Sequence, residues 1–472
     1  MKGAVATGHP LTTDAAVRML EKGGNAFDAI VAAGFASTVT ETIFASLGGG
    51  GFLLGHNYHE KQDFFYDFFV STPGKGLKLK EKPVMEPLEV HFSEASQVFY
   101  IGMPSIGVHG TLRGLIHTYV ENCTMDLDDI IAPAIEYLNE GIDITESQKY
   151  IIRVVKPIFD RDEYGREVFN YDKQHKLYNP LLKEFYEKRS IDAWLDICYL
   201  GEGTKPFLED MRNKGGLVTA EDLKTYEVLE RSPLCVDYRD YQFVSNPPPS
   251  FGGSIIAKAL MQLNEETYPK GDAVATALRR AKILDEINRF KGAGGTTHMN
   301  AIDANNNAAA MSLSAGTGCG YFFPNTGILM NNTMGEEDLH PGTFYSDEPG
   351  SRVPSMMSPS FIKKDGHVVV SLGTGGSSRI RSSILQVVLN YIDEGMSIKD
   401  AVETPRMHFD EHDRLQMEPI ADAVVLKALE DKYPDFKVWT QKDLYFGGVH
   451  SVTGDLGGWG DSRRNGVFKR IL

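Results

Sequence analysis

Apolar stretches alternate with polar and glycine-rich punctuation along this chain, and the punctuation sets the elements. Thr12-Thr13-Asp14 offers helix N-caps, Ala15 to Lys22 continues as a helix, and Gly23-Gly24 closes it. A second helix, about Asn25 to Thr38, is crowded with Ala29, Ala32, Ala33, Gly34 and Ala36. Small residues on all its sides predict tight packing against a sheet or another helix. Leu47-Gly48-Gly49-Gly50-Gly51 then leads into the strand-like Phe52–Gly55, where four glycines permit close backbone approach. A mostly helical section runs from about Gly110 to Thr225, with a helix over Leu127–Asn139 and a helix start at Thr219-Ala220-Glu221-Asp222.

Strands follow at Leu234–Tyr238 and Tyr241–Ser245, then a rigid Pro247-Pro248-Pro249-Ser250 loop and a helix over Ser254–Leu263. Thr296–Asp303, a turn through Ala304–Asn307 and Ala308–Ser314 read as a hairpin. Folded about Asn305, it sets Ser314 opposite Thr296. A strand over His367–Leu372, the loop Gly373-Thr374-Gly375-Gly376-Ser377 and a helix over Ile380–Glu394 form a strand–loop–helix arrangement suited to holding an anion. The same loop also reads as an ordinary tight turn. Asn331 to Asp338 reads by itself as a solvated acidic loop.

Composition narrows the class. With 42% hydrophobic and 24% charged residues, the 472-residue chain can bury a large core. A formal net charge of −16 and no visible basic stripe argue against a nucleic-acid partner. No run reaches the length needed to span a bilayer. The first residues carry one lysine and no apolar core of a signal peptide, so a cytoplasmic protein is expected. Cys123, Cys198, Cys235 and Cys319 are widely spaced, which argues against a disulfide framework or zinc site. The first three read as buried free thiols, and Cys319 lies in a glycine-rich stretch without a local base. No metal and no cofactor are expected.

The chemistry centres on Thr296-Thr297-His298, preceded by the flexible run Gly292-Ala293-Gly294-Gly295. A threonine hydroxyl is a poor nucleophile without an adjacent base. Cutting at Gly295-Thr296 would create such a base in the new α-amino group. A Thr-Thr-His that merely begins a strand is the alternative for the triplet alone.

The separated motifs together resemble the γ-glutamyltranspeptidase family of N-terminal-nucleophile hydrolases. They are Lys22-Gly23-Gly24-Asn25-Ala26-Phe27-Asp28-Ala29, the Leu47–Phe52 glycine run, Tyr238-Arg239-Asp240-Tyr241 and Pro247–Gly253. The Thr296 triplet, Gly327-Ile328-Leu329-Met330-Asn331-Asn332 and Met357-Ser358-Pro359 complete the set. The resemblance implies an α/β fold, a four-layer αββα sandwich, made as a precursor. It implies self-cleavage into a large chain, 1–295, and a small chain, 296–472, that remain together as a heterodimer, with further dimerisation left open. Thr296 would carry the acyl group and pass it to water or an amine acceptor, with Ser314 as helper hydroxyl. The backbone N–H groups of Gly376 and Ser377 would hold the oxyanion. Many relatives are periplasmic or extracellular.

The resemblance also marks departures. The family's arginine for the substrate α-carboxylate falls on Phe69, and its two serines fall on Ser355 and Met356. The groups that hold the α-amino group fall on Gly316, Thr333 and Glu336, where only the acid keeps its type. The segment between Glu336 and Ser355 is shorter than the family's lid, which suggests a more open pocket. Three functions fit. One is an amide hydrolase or acyltransferase with altered acyl specificity. A second is a genuine γ-glutamyltranspeptidase or glutathione hydrolase. A third is a non-catalytic binding protein on the same scaffold. The expected partner is a small-molecule amide or γ-glutamyl substrate, with neither nucleic acid nor membrane.

Overall fold

The computed structural model describes residues 1–78, 81–91, 96–170, 175–288, 295–340 and 343–472. The run Gly292-Ala293-Gly294 lies outside them. Among the described residues two large antiparallel sheets dominate, and their strands are numbered here in chain order. The first sheet holds β1 (Gly3–Thr7), β2 (Gly50–Asn57), β3 (Gln62–Phe68) and β4 (Leu229–Arg231). The second begins with β5 (Leu234–Tyr238) and β6 (Tyr241–Ser245). The hairpin strands β7 (Thr297–Asp303) and β8 (Ala308–Ser314) return to the first sheet. Then come β9 (Ser360–Lys364), β10 (His367–Gly375), β11 (Gly448–Thr453) and β12 (Gly458–Trp459) of the second sheet, and β13 (Val467–Ile471) of the first. The order is β13-β1-β7-β8-β2-β3-β4 in one and β12-β11-β10-β9-β6-β5 in the other.

The sheets face each other through β7, β8, β10 and β11. Helices α1 (Pro10–Glu21) and α2 (Ala26–Thr40) cover the outer face of the first sheet. Helices α3 (Gly252–Glu265) and α4 (Arg379–Ile392) cover the second. This is the expected αββα sandwich. Alternation along each strand divides the first sheet between two cores. Val5, Leu53, Met299, Met311 and Leu313 pack towards α2, whereas Ala4, Ala6, Phe52, Leu54, Ile302 and Ala310 pack with Val370, Leu372 and Val452 of the second sheet. Both faces being covered, every residue of β7 and β8 is buried.

All fifteen residues of α2 are buried, as its small side chains predict. Its start is fixed by a capping box between Asn25 and Asp28. The four-glycine run is a packing device. An added Cβ would stand 2.3 Å from the Leu329 carbonyl oxygen at Gly48, 2.2 Å from that of Ser314 at Gly49, and 2.4 Å from that of Ser312 at Gly51.

Several elements differ from expectation. Helix α1 starts at Pro10, with His9 Nδ1 accepting from the Leu11 N–H (3.2 Å), because proline at the first helical position loses no hydrogen bond. Strand β10 extends to Gly375, so Gly373 and Gly375 are strand residues pairing with His450 and Gly448. The stretch 331–336 is buried, not solvated, because Asn331 bridges the Gly48 and Gly107 backbones. Cys235 is exposed on the outer strand pair rather than buried, and Cys123 is only partly buried. No helix among the described residues is long and apolar enough to cross a membrane.

Gly373 of the second sheet lies against a side chain of the hairpin: an added Cβ would stand 2.3 Å from the His298 ring. That ring is held by Ser312 Oγ (2.8 Å) and Asn300 Oδ1 (3.1 Å) and cannot retreat. Gly373→Ala is expected to lower stability by about 1–3 kcal/mol, read as a lower urea midpoint at unchanged m-value.

Candidate active site

Strand pairing builds the site. Thr297 pairs with Leu313 and His298 with Ser312, so the next step of the register sets Thr296 opposite Ser314. Ser314 Oγ donates to the carbonyl oxygen of Gly295 at 2.5 Å and accepts from the Gly316 N–H at 3.1 Å. The carbonyl of the 295–296 peptide bond is thus gripped by the hydroxyl expected to assist Thr296. Thr296 itself is 3% exposed.

The second sheet supplies the other wall. An added Cβ on Gly375 would stand 1.9 Å from the Thr296 carbonyl oxygen, so only a bare backbone fits there. Gly376 and Ser377 follow, between the end of β10 and α4. Gly376 has φ +129° and Ser377 φ +58°. A serine held in the left-handed region costs about 1–2 kcal/mol, and such outliers concentrate where geometry serves a function.

His298 is fully buried between the sheets, and burial pushes its imidazole down to about 3. Its two ring nitrogens are engaged by Ser312 and Asn300. The third member of the triplet therefore acts as a neutral structural side chain.

The residues expected at the acyl subsite fall into two groups. Gly316 and Glu336 gather beside Ser314: the Gly316 N–H donates to Ser314 Oγ, and an added Cβ on Gly316 would stand 2.2 Å from Glu336 Oε1 and 2.1 Å from Asn332 Oδ1. The Thr333 carbonyl accepts from His340 Nε2 at 3.1 Å. Phe69 and Met356 instead belong to one apolar cluster with Phe52, Val70, Met334 and Val353. The Phe69 ring sits 5.5 Å from that of Phe52 and is 2% exposed. Ser355 is committed to the backbone, its Oγ accepting from the Met357 N–H and its carbonyl from Ser250 Oγ. Neither Phe69 nor Met356 lines the cavity beside Thr296. That cavity is about 30 Å³ in the intact chain, and none of its lining residues comes from the short segment between Glu336 and Ser355.

Two residues that line this cavity escaped sequence reasoning. Glu41, directly after α2, accepts from Thr297 Oγ1 (2.6 Å) and Thr12 Oγ1 (3.0 Å). Burial raises its carboxyl to about 7, against the lowering effects of those hydroxyls and of Arg464. Arg464 Nη1 donates to the Thr296 carbonyl oxygen at 3.3 Å. Its guanidinium is pushed down to about 10 by burial and by Arg379, partly offset by Asp461 and Glu41. Glu41 had a signal: between Asp28 and the end of β2 it is the only charged residue in a long apolar stretch. Arg464 had none, since its neighbour in space is 168 residues away in sequence. Among the described residues no group of three His, Cys, Asp or Glu is placed to hold a metal.

The chain as a whole is similar to known proteins. The sequence model of the family described as Gamma-glutamyltranspeptidase matches residues 12–290 and 271–470. The glutathione hydrolase proenzyme of Escherichia coli (strain K12) is 27% identical over 91% of this chain and 85% of its own length. The acylase ACY 1 proenzyme of Pseudomonas sp. (strain SE83) is 28% identical over 91% and 86%. The crystal structure of cephalosporin acylase from Bacillus halodurans shares the fold, with a TM-score of 0.84 at 20% identity over 99% of this chain and 95% of that one. A sandwich of the same layers and a family match along nearly the whole sequence lead to one conclusion: the chain belongs to the γ-glutamyltranspeptidase family.

Proposed function

We propose that this protein is an autoprocessed amide hydrolase or acyltransferase with its acyl-enzyme on Thr296 and an acyl specificity other than γ-glutamyl. The observation that carries the reading is the hydrogen bond from Ser314 Oγ to the Gly295 carbonyl, on the bond to be cut and one strand pair from the nucleophile. Attack of Thr296 Oγ on that carbonyl carbon forms a C–O bond and breaks the C–N bond. The hydroxyl proton passes to the departing nitrogen. Water then cleaves the ester, leaving a Gly295 carboxylate and a free α-amino group on Thr296. That amine is the base for the next attack, on substrate. The Gly376 and Ser377 backbone directly follows Gly375, which lies against the Thr296 carbonyl, and its N–H groups are the candidates to hold the oxyanion.

Specificity follows from the apolar cluster. A substrate α-carboxylate needs a charged partner once it leaves water, and Phe69 and Met356 offer none. An acyl group with a neutral end has less to lose. The acylase relative supports this reading; the glutathione hydrolase relative and the surviving Glu336 favour the γ-glutamyl alternative.

Thr296→Ala is expected to leave a single chain by intact mass and no amide hydrolysis; a variant that still splits would remove Thr296 as nucleophile. Ser314→Ala is expected to slow both cleavage and turnover by roughly one to three orders of magnitude, because a polarised carbonyl loses its donor. Its stability should change by only about 1 kcal/mol, checked by denaturant titration. Matched p-nitroanilides test specificity: kcat/KM for a neutral acyl group should exceed that for the γ-glutamyl compound by at least about tenfold, a difference near 1.4 kcal/mol. A preference for the γ-glutamyl compound would favour the alternative.

A further inference from the structure

The cavity beside Thr296 holds two ionisable side chains of opposite sign, Arg464 and Glu41, with Thr296 and Thr297 between them. The guanidinium lies 3.3 Å from the Thr296 carbonyl oxygen. Within one residue that oxygen and the nitrogen are about 3–3.6 Å apart, so the cation is no more than about 7 Å from the nitrogen that cleavage would free. Arg464 Nε is buried and donates to no described protein atom. Among the described residues, Asp461 and Glu41 offset its charge only in part. Asp461, the acid nearest in sequence, is taken up by Arg406 at 2.5 Å and Arg463 at 3.2 Å. On the facing elements, Arg379 adds positive charge and Glu41 can add negative charge. His298 and His450 also line the cavity, but burial keeps both neutral near pH 7.

A general base must be unprotonated to work, and an ordinary α-amino group titrates at about 7.7–8.0. A nearby cation disfavours the ammonium form and a nearby carboxylate favours it. We infer that Arg464 keeps the freed Thr296 amine unprotonated, and that Glu41 opposes it from across the same cavity. The inference rests on the cleavage reading above. Both residues act through the nucleophile, not on substrate, and they make the working pH of the enzyme a balance between two charges. Sequence neighbours illustrate how narrowly the site is drawn: Arg463 is buried in an ion-pair network with Glu418 and Asp461, whereas Arg464, the next residue, turns to Thr296.

The two substitutions should move one quantity in opposite directions, which damage to the fold would not do. The probe is competitive labelling of the small chain's N-terminal amine with acetic anhydride across pH, read by mass spectrometry of the N-terminal peptide. In the unsubstituted protein the labelling pKa should lie below the ordinary α-amino range. Arg464→Gln should raise it by about one pH unit, Arg464→Lys should keep it near the unsubstituted value, and Glu41→Gln should lower it. Intact mass separates the two ideas. A single uncut chain in the unsubstituted protein overturns the cleavage reading, and this inference with it. Two chains with an unmoved pKa in Arg464→Gln, or a pKa raised by Glu41→Gln, overturn this inference alone. If Arg464→Gln stays uncut, the charge-retaining Arg464→Lys and Glu41→Gln decide: a lysine variant with an ordinary α-amino pKa, or a glutamine variant that is not lowered, overturns it.

Discussion

The Asp303 carboxylate fixes the hairpin on which the site depends. Oδ1 accepts from the Asn305 and Asn307 N–H groups at 2.8 and 3.0 Å, and Oδ2 accepts from Asn307 Nδ2 and from the Ala26 N–H at the start of α2. Hydrogen bonds to a charged acceptor contribute about 1.5–3 kcal/mol each, so the three within the turn set one geometry, with Asn306 left-handed at φ +64°. A slip of one residue would send every side chain of β7 and β8 to the opposite face. The register that places Ser314 against Gly295 is therefore decided at the far end of the hairpin, and the same carboxylate ties that end to the helix layer.

From that register the rest of the site follows by close approach of bare backbone. Gly49 lies under the Ser314 carbonyl, Gly375 against the Thr296 carbonyl and Gly373 against His298. Each glycine lets another segment of the chain come near enough to touch the surroundings of Thr296. The interior is otherwise closely filled, so a small volume remains beside Thr296. In so confined a space a charge is poorly screened, which gives Glu41 and Arg464 influence that exposed side chains would lack. The triplet histidine, which invites a catalytic reading, is instead a packing and hydrogen-bonding element between the sheets.

The acyl side of the site combines two different environments. Around Ser314 polar groups persist, with Glu336 and Asn332 close to Gly316. Towards Phe69 and Met356 the wall is continuous with the core between the sheets. A charged clamp there would have to be buried with its counter-charge, at a desolvation cost of several kcal/mol. Phe69 and Met356 join that region to the core instead.

The amino-acid sequence by itself determined what local chemistry can fix. The strands Leu234–Tyr238 and Tyr241–Ser245 stand where the turn at Asp240 puts them, the buried helix follows from its alanines, and the symmetry of the hairpin gives the register that pairs Thr297 with Leu313, one step from Thr296 and Ser314. The ordered motifs identified the family and, through it, the four layers. Tertiary structure decided what depends on distant partners. The 331–336 stretch is polar in composition yet buried, because its amides satisfy backbone from two other segments. Strand β10 continues through two glycines because β11 pairs with them. Glu41 meets Thr297 and Arg464 meets Thr296 from the two ends of the chain, and no local pattern encodes a contact between residues more than 160 positions apart. Propensity and spacing act over a few residues, whereas the electrostatics of this site come from burial, which exists only once the sheets have closed on each other.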